Sequence, residues 1–502
     1  MELRRGWKQV GVGLSSSSLS LLLFSVFVVG CSPSAPSLIG GRHSEISDGV
    51  EDNSGEFRHV DASAEWTQEL VGKDTTGNTD GGDLHELPLA EVQVPPSKYT
   101  FTLIQELSTA DMGGVLGDLP ESLIMLPSGD RLFATYRFPG DGWPYLVTFE
   151  RDEQDGTLAV AQVVGDGVSQ LPWDSWMYEA TLHPSGQYLL MRTKGNCPTE
   201  GCMTVLALEN KGESLIKVPQ VFTPGLEMPY FSAGRLTVSP DGQHTYMGNS
   251  STGGDEEVLS FGFSAVDGSL TCQWPPYMVT SYPYAPVLAL GFDTSGTRLF
   301  VYTGDHLFFV FNRDTESGEL SCQKMIEAGA VNESHWATIR AHPASPGEVL
   351  FSAPSDPLLV YSLGSPSDSD GCKADEVVEL VQTISVSDAY DAVGGGPAFD
   401  MQISPDGLSL VFQMKRSAKY GFKTEEGGVL AWAGRNEESG EWELQSSLEL
   451  PAYCFNLDSI QSIRTMAFSP DSDFLYVGGQ HCWHKNLDDP VLFVYKRSAV
   501  EE

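Results

Sequence analysis

Positive charge is scarce in this chain. Its 502 residues carry 29 Lys+Arg against 68 Asp+Glu, a net charge of -39. Such a surface repels nucleic acid and anionic headgroups over much of its area, so a nucleic-acid partner is not expected. Cysteine is scarce too, with eight residues and no Cys-x-x-Cys pair, which argues against structural zinc. No G-x-S-x-G stretch is present to support a serine hydrolase. Gly394-Gly395-Gly396 lacks the Lys and helix that a phosphate-cradling loop needs. His481 and His484 are two imidazoles three apart, a spacing that fixes no ligand geometry in a strand-rich loop. Asp368-Ser369-Asp370-Gly371 has half the oxygen ligands of a calcium loop and reads as a solvated turn. No metal and no cofactor are expected.

What is present begins with an export layout. Arg4, Arg5 and Lys8 precede the apolar run Leu21 to Val29 and then Gly30-Cys31, too short a run to span a membrane comfortably. Val28-Val29-Gly30-Cys31 resembles the bacterial lipobox. That resemblance implies cleavage before Cys31 and lipid, palmitate included, on Cys31. Ser32 at the next position implies the outer membrane, on its periplasmic or surface side. Residues 1–30 are thus read as a lipoprotein signal peptide. From Ser32 to Val94 there are 13 acidic and 3 basic residues amid Ser and Gly. Such a composition cannot bury enough apolar surface to offset its ordering entropy, so 31–97 is read as a disordered acidic tether.

The remainder, 98–502, repeats a hairpin signature. Met466 to Gly479 reads as two apolar runs around Ser469-Pro470-Asp471, with Pro setting φ at the second turn position and Asp suiting the third. Copies stand at His183-Pro184-Ser185-Gly186, Ser239-Pro240-Asp241-Gly242 and Ser404-Pro405-Asp406-Gly407. Weaker ones stand at Leu126 to Gly129, Phe292 to Gly296 and His342 to Gly347, making seven. Each hairpin is followed by a third strand, a Gly turn and a fourth strand, as in Leu307 to Phe311 and then Ser317-Gly318-Glu319-Leu320. Four-strand units at a period of about fifty to sixty-five residues indicate an all-β fold, a seven-bladed β-propeller. The last repeat has no fourth strand after Val491 to Tyr495, while Tyr99 to Leu107 is a strand with no hairpin of its own. Pairing the two closes the ring and removes both open edges.

Alternation of the S-P-D-G hairpin with a turn such as Asp314-Thr315-Glu316-Ser317-Gly318-Glu319-Leu320 resembles the seven-bladed lactonase-like propellers, which include 6-phosphogluconolactonases and YVTN-type surface proteins. The resemblance covers about Tyr99 to Arg497. It implies the propeller fold and, for the enzymes of the group, catalysis by His, Glu and Arg of the central channel. Here Glu179 and His183, Arg235, Arg340 and His342, Asp400 and Arg464 fall at or near inner strands, without a repeated R-H or H-P-H pattern. A sugar phosphate made in the cytoplasm does not suit an exported, acidic protein.

Two functions are carried forward. One is a lipid-anchored envelope module, a monomer, that binds a carbohydrate, lactone or protein ligand. The alternative is a lactone hydrolase acting on a non-phosphorylated exported substrate. For ligand binding the candidates are Trp176, Tyr178, Arg235, Tyr284, Trp336 and Asp400, since aromatic faces beside a few charges suit a sugar ring or lactone. For catalysis they are Glu179, His335 and Arg464, because a carboxylate near an imidazole tunes proton transfer near neutral pH. Cys197 and Cys202 bracket a Pro/Gly loop able to bring them together as a disulfide; Cys454 with Cys482 is a second candidate pair. Cys272 and Cys322 occupy matching positions in successive repeats, a blade apart and too far to pair.

Overall fold

A computed structural model describes residues 99–500 except 109, 113–119, 138–143, 165–175, 195–202, 219–234, 249–256, 279–286, 305–306, 328–336, 353–357, 365–377, 386–394, 417–428, 450–464 and 480–489. The chain divides into two units, 1–92 and 93–502, and every described residue belongs to the second. The expected signal peptide, tether and Cys31 lie outside the described residues.

The described residues form 28 strands and one 3-10 turn, Asn210–Gly212. Strand β1 (Tyr99–Ser108) precedes blade 1, which is β2 (Pro120–Met125), β3 (Arg131–Arg137), β4 (Pro144–Arg151) and β5 (Leu158–Val164). Blade 2 is β6 (Trp176–Leu182), β7 (Tyr188–Lys194), β8 (Met203–Glu209) and β9 (Ser214–Val218). Blade 3 is β10 (Leu236–Val238), β11 (His244–Gly248), β12 (Glu257–Phe263) and β13 (Leu270–Met278). Blade 4 is β14 (Val287–Phe292), β15 (Arg298–Thr303), β16 (Leu307–Arg313) and β17 (Leu320–Glu327). Blade 5 is β18 (Thr338–Ala341), β19 (Glu348–Ser352), β20 (Leu358–Leu363) and β21 (Val378–Ile384). Blade 6 is β22 (Gly395–Ile403), β23 (Ser409–Arg416), β24 (Val429–Arg435) and β25 (Trp442–Glu449). Blade 7 takes β26 (Thr465–Phe468), β27 (Phe474–Gly478) and β28 (Pro490–Ala499), and its fourth strand is β1. Seven antiparallel four-stranded sheets result, and the first strand of the array closes the last blade. The register runs from Tyr99 opposite Ala499 to Ser108 opposite Pro490.

There is one apolar core per blade interface. In each second strand, alternate residues serve opposite neighbours: Leu189 and Met191 pack toward blade 1, whereas Leu190 packs toward blade 3. A strand sandwiched on both faces is covered on both, which is why β11, β15 and β27 are buried along their whole length, His244, Thr245, Arg298 and Thr303 included. The outer strand β21 leaves Leu380 and Val381 exposed.

The seven hairpin turns lie at one end of the blades together with the Gly turns, and polar latches cross every blade interface there. Arg313 of blade 4 donates to both carboxylate oxygens of Asp241 in the blade 3 turn (3.0 and 2.9 Å) and to Gly296 O of its own turn. Arg497 reaches Asp406 (2.6 Å) and Arg151 reaches Asp471 (2.7 Å) in the same way. Arg435 pairs with Glu348 (2.5 Å), Arg131 with Glu213 (3.5 Å), and Arg298 donates to Gly364 O (2.6 Å). Between blades 2 and 3, His183 Nε2 donates to Gly242 O (2.8 Å) and its ring stacks on Phe263 at 4.3 Å. The Gly of the third-to-fourth-strand turn is required twice over. Gly318 has φ +74°, and a Cβ there would lie 2.1 Å from the His244 ring of the preceding blade. In the seventh hairpin Ser472 takes the left-handed position at φ 67°, and its hydroxyl accepts from Asp406 N across the interface (3.0 Å).

Candidate functional site in the central channel

The innermost strand of each blade runs toward its hairpin turn, whose closing bond fixes a common register. Gly186 N donates to His183 O, Gly242 N to Ser239 O, Gly296 N to Asp293 O and Gly407 N to Ser404 O, with matching bonds at Leu126 and Ser469. Counting four residues back from the first turn residue gives Ser122, Glu179, Arg235, Ala289, Thr338, Asp400 and Thr465, one per blade. Six of these seven positions are polar, although they lie at the inner edge of an otherwise apolar assembly.

The layer is a belt of bonds between blades. Leu123 N donates to Thr465 Oγ1 (2.8 Å), Ala180 N to Ser122 Oγ (3.1 Å) and Leu236 N to Glu179 Oε2 (2.9 Å). Arg235 Nε donates to Leu288 O (3.0 Å). Asp400 Oδ1 accepts from Met401 N (2.9 Å) and from Thr338 of blade 5 (3.3 Å). Inner strands have an unpaired edge, and these side chains satisfy backbone groups along it.

Three members carry charge as well, and Arg340 beside the layer adds a fourth. Arg235 lies 3.5 Å from Glu179, and Arg340, two residues further along its strand than Thr338, lies 3.6 Å from Asp400. Arg340 NH1 also donates to Ile339 O (3.0 Å). The side chains retain 21% (Glu179), 27% (Arg235), 37% (Arg340) and 12% (Asp400) of their accessible surface. Burial pushes the Asp400 carboxyl above the usual range, opposed by Arg340 and Arg235. Burial pulls the Arg340 guanidinium below its ordinary value. Asp400 and Glu179 oppose that shift and Arg235 adds to it, so the two pairs act on one another electrostatically.

Of the residues singled out in the sequence, Glu179, Arg235 and Asp400 therefore share this cluster, and Arg340 joins them. Trp176 and Tyr178 stand on β6. His335, Trp336, Arg464, Tyr284, Cys197, Cys202, Cys454 and Cys482 lie outside the described residues. His183 does not belong to the cluster. It is buried at the turn end, with Nε2 bonded to Gly242 O and Nδ1 bonded to Ser185, and burial keeps it below its ordinary pKa. Cys272 and Cys322 are on the outer strands of adjacent blades. Among the described residues no three His, Cys, Asp or Glu side chains converge as a metal site. Ser122, Thr338 and Thr465 were not picked out from the sequence. Aligning the repeats on their turns is the signal that finds them.

No family model matches the chain, and no curated protein matches it. In solved structures it resembles the periplasmic gluconolactonase of Pseudomonas aeruginosa at 15% identity and TM-score 0.49, covering 69% of this chain and 88% of that one. A putative 6-phosphogluconolactonase from Bacteroides uniformis matches at 15% identity and TM-score 0.47, over 66% of this chain and 86% of that one. The β-propeller domain of a Myceliophteria thermophila protein matches at 13% and TM-score 0.48, over 79% and 99%. These are likenesses of fold.

Proposed function

We propose that the chain is an exported β-propeller, held at the bacterial envelope by lipid on Cys31, which binds a small oxygen-rich ligand in its central channel. The observation that carries this reading is the pair of ion pairs, Arg235–Glu179 at 3.5 Å and Arg340–Asp400 at 3.6 Å, both partly open on the channel wall. Their separations exceed a charge-assisted hydrogen bond. Main-chain amides hold the carboxylates in place. Charged groups preorganised in this way can exchange contacts with a ligand at little cost in rearrangement. Trp176, Tyr178, Tyr284 and Trp336, near the starts of inner strands, are the proposed aromatic faces. The test is calorimetric titration of purified full-length protein with monosaccharides, sugar acids and lactones, repeated for Arg340→Ala. A ligand whose binding survives that substitution unchanged refutes the channel as its site. Lipidation is tested by labelled palmitate uptake in the bacterial host, which Cys31→Ser abolishes.

A second reading, lactone hydrolysis, is favoured by Asp400, whose carboxyl burial moves toward neutral pH, as suits a general base. In that role Asp400 takes a proton from water as the oxygen bonds to the lactone carbonyl carbon, then returns it to the ring oxygen as the ester bond breaks. Glu179, His335 and Arg464 would share the channel with it. Acid release from simple lactones, followed by pH-stat, decides this. Turnover lost on Glu179→Gln or Asp400→Asn supports the enzyme, and its absence in the wild-type protein removes it.

A further inference from the structure

We infer, building on the channel-binding reading above, that the cluster receives one carboxylate. A small organic acid in its anionic form seats between the guanidinium groups of Arg235 and Arg340, in the blade 4 sector of the ring.

The order of residues around the ring carries this. At the common position the sequence from blade 2 to blade 6 is Glu179, Arg235, Ala289, Thr338, Asp400, and Arg340 projects from blade 5 two residues nearer the turn. Blade 4 supplies Ala289 at the first of these levels and Gly291 at the second. Blade 4 is therefore flanked by a cation on each side, and each cation has its carboxylate on the far side. The two guanidinium groups carry like charge, and Arg235 adds to the lowering of Arg340 that burial causes. A negative group between them would oppose that lowering.

Glu179 and Asp400 neutralise the arginines at 3.5 and 3.6 Å, with Glu179 Oε2 held by the amide of Leu236 and Asp400 Oδ1 by that of Met401. Arg340 is the most accessible of the four at 37%, with one NH1 hydrogen given to Ile339 O and NH2 3.6 Å from Asp400, so each terminal nitrogen keeps a further hydrogen. A guanidinium fork matches a carboxylate in two parallel hydrogen bonds. The same arrangement disfavours phosphate. The four charges sum to zero, so a second negative charge on the ligand meets two carboxylates inside a chain of net charge -39.

The experiment is saturation-transfer NMR on the purified full-length chain. The probes are acetate, lactate, gluconate and galacturonate, each beside a neutral counterpart (acetamide, lactamide, gluconamide, galactose), with glucose 6-phosphate as the phosphate arm. Expected is saturable binding of at least one acid, with at least tenfold weaker binding of its neutral counterpart and of the phosphate. Arg340→Gln and Arg235→Gln should each weaken the acid tenfold or more, and Arg340→Lys should weaken it less. Asp400→Asn should bind it more tightly, since one competing negative charge is gone, which keeps the test intact if an arginine variant does not fold. Equal binding of acid and neutral partner, or tighter binding of the phosphate, overturns the carboxylate assignment and leaves the channel site standing. Loss of acid binding in Asp400→Asn, or none lost in the arginine variants, also overturns the assignment. Saturation by none of the compounds overturns both the assignment and the channel reading.

Discussion

The latch between blades 3 and 4 makes a quantitative prediction. The Arg313 guanidinium has 0% of its side chain exposed, while its partner Asp241 keeps 32%. Arg313 donates to Asp241, to Gly296 O and toward His244 Nδ1 (2.6 Å), and its charge lies 5.8 Å from the Phe292 ring. Replacing it by Met keeps the apolar stem. Three contacts to a charged group at about 1.5–3 kcal/mol each are lost. The cost of keeping a buried ion, several kcal/mol, is lost with them. Asp241 can rehydrate, whereas Gly296 O and His244 Nδ1 cannot do so fully, so the net loss is about 2 kcal/mol. Asp241→Asn is the costlier change: the group left without a counter-charge is the fully buried one, and the loss is about 3–4 kcal/mol. Denaturant midpoints of the two variants, with the double variant completing the cycle, measure this. If Arg313→Met proves the more damaging, burial does not set the asymmetry and the reasoning is wrong.

The same latches fix the pH response. Asp241, Asp406 and Asp471 are each held below the usual carboxylate range. Burial opposes the shift, but bonds from Ser239, Ser404 and Ser469 and from the arginines outweigh it. A depressed folded-state pKa contributes stability that is present above the unfolded value near 4 and is lost as pH falls through the folded value. The propeller should therefore lose stability below about pH 4, and the loss should be shallower in Arg313→Met.

Three further outcomes are expected. Gln413 is fully buried, and neither its Nε2 nor its Oε1 has a hydrogen-bond partner among the described residues. Gln413→Met should therefore raise stability by about 1 kcal/mol, and a lower midpoint would show that the amide has a partner after all. Gly318→Ala should cost about 2–4 kcal/mol, because it adds left-handed strain and drives a methyl into the His244 ring; a neutral effect in thermal melts would contradict that contact. Removing β1 strips blade 7 of its outer strand together with Phe101, Leu107 and the bond from Trp432 Nε1 to Tyr99 O. The truncated chain should show earlier unfolding and faster proteolysis, and an unchanged midpoint would disprove that this strand secures the ring.

The fold was legible in the sequence because a propeller repeats its local rules. Each S-P-D-G or its variant marks a turn that backbone bonds alone can close, so seven turns imply seven hairpins. The orphan strand at Tyr99 was legible for the same reason, as the one run without a turn of its own. The latches were not legible. Whether Arg313 meets Asp241 depends on how two sheets 72 residues apart stack, and nothing local records that. His183 shows the difficulty from the other side. As a lone imidazole beside an inner strand it suggests chemistry, yet its position at the first turn residue commits Nε2 to the next blade's Gly242 O and Nδ1 to Ser185 of its own turn.

The channel cluster lies between these cases. Glu179, Arg235 and Asp400 are recognisable as charges in or beside the inner strands, but their meeting depends on counting from the turn. The turns that make the fold legible are also the ruler for the site. Position four before the turn spends its side chain on the next blade's backbone at Ser122 and Thr465, and on the next blade's Asp400 at Thr338. Those short hydroxyls are sufficient for the belt. Where the same position carries Glu179, Arg235 or Asp400, one atom enters the belt and the charge enters an ion pair, Glu179 with Arg235 and Asp400 with Arg340. Structural duty thus accounts for the hydroxyls and for one atom of each charged group. What remains is confined to the arc from blade 2 to blade 6, and it is this excess, rather than polarity in the channel as such, that points to a ligand.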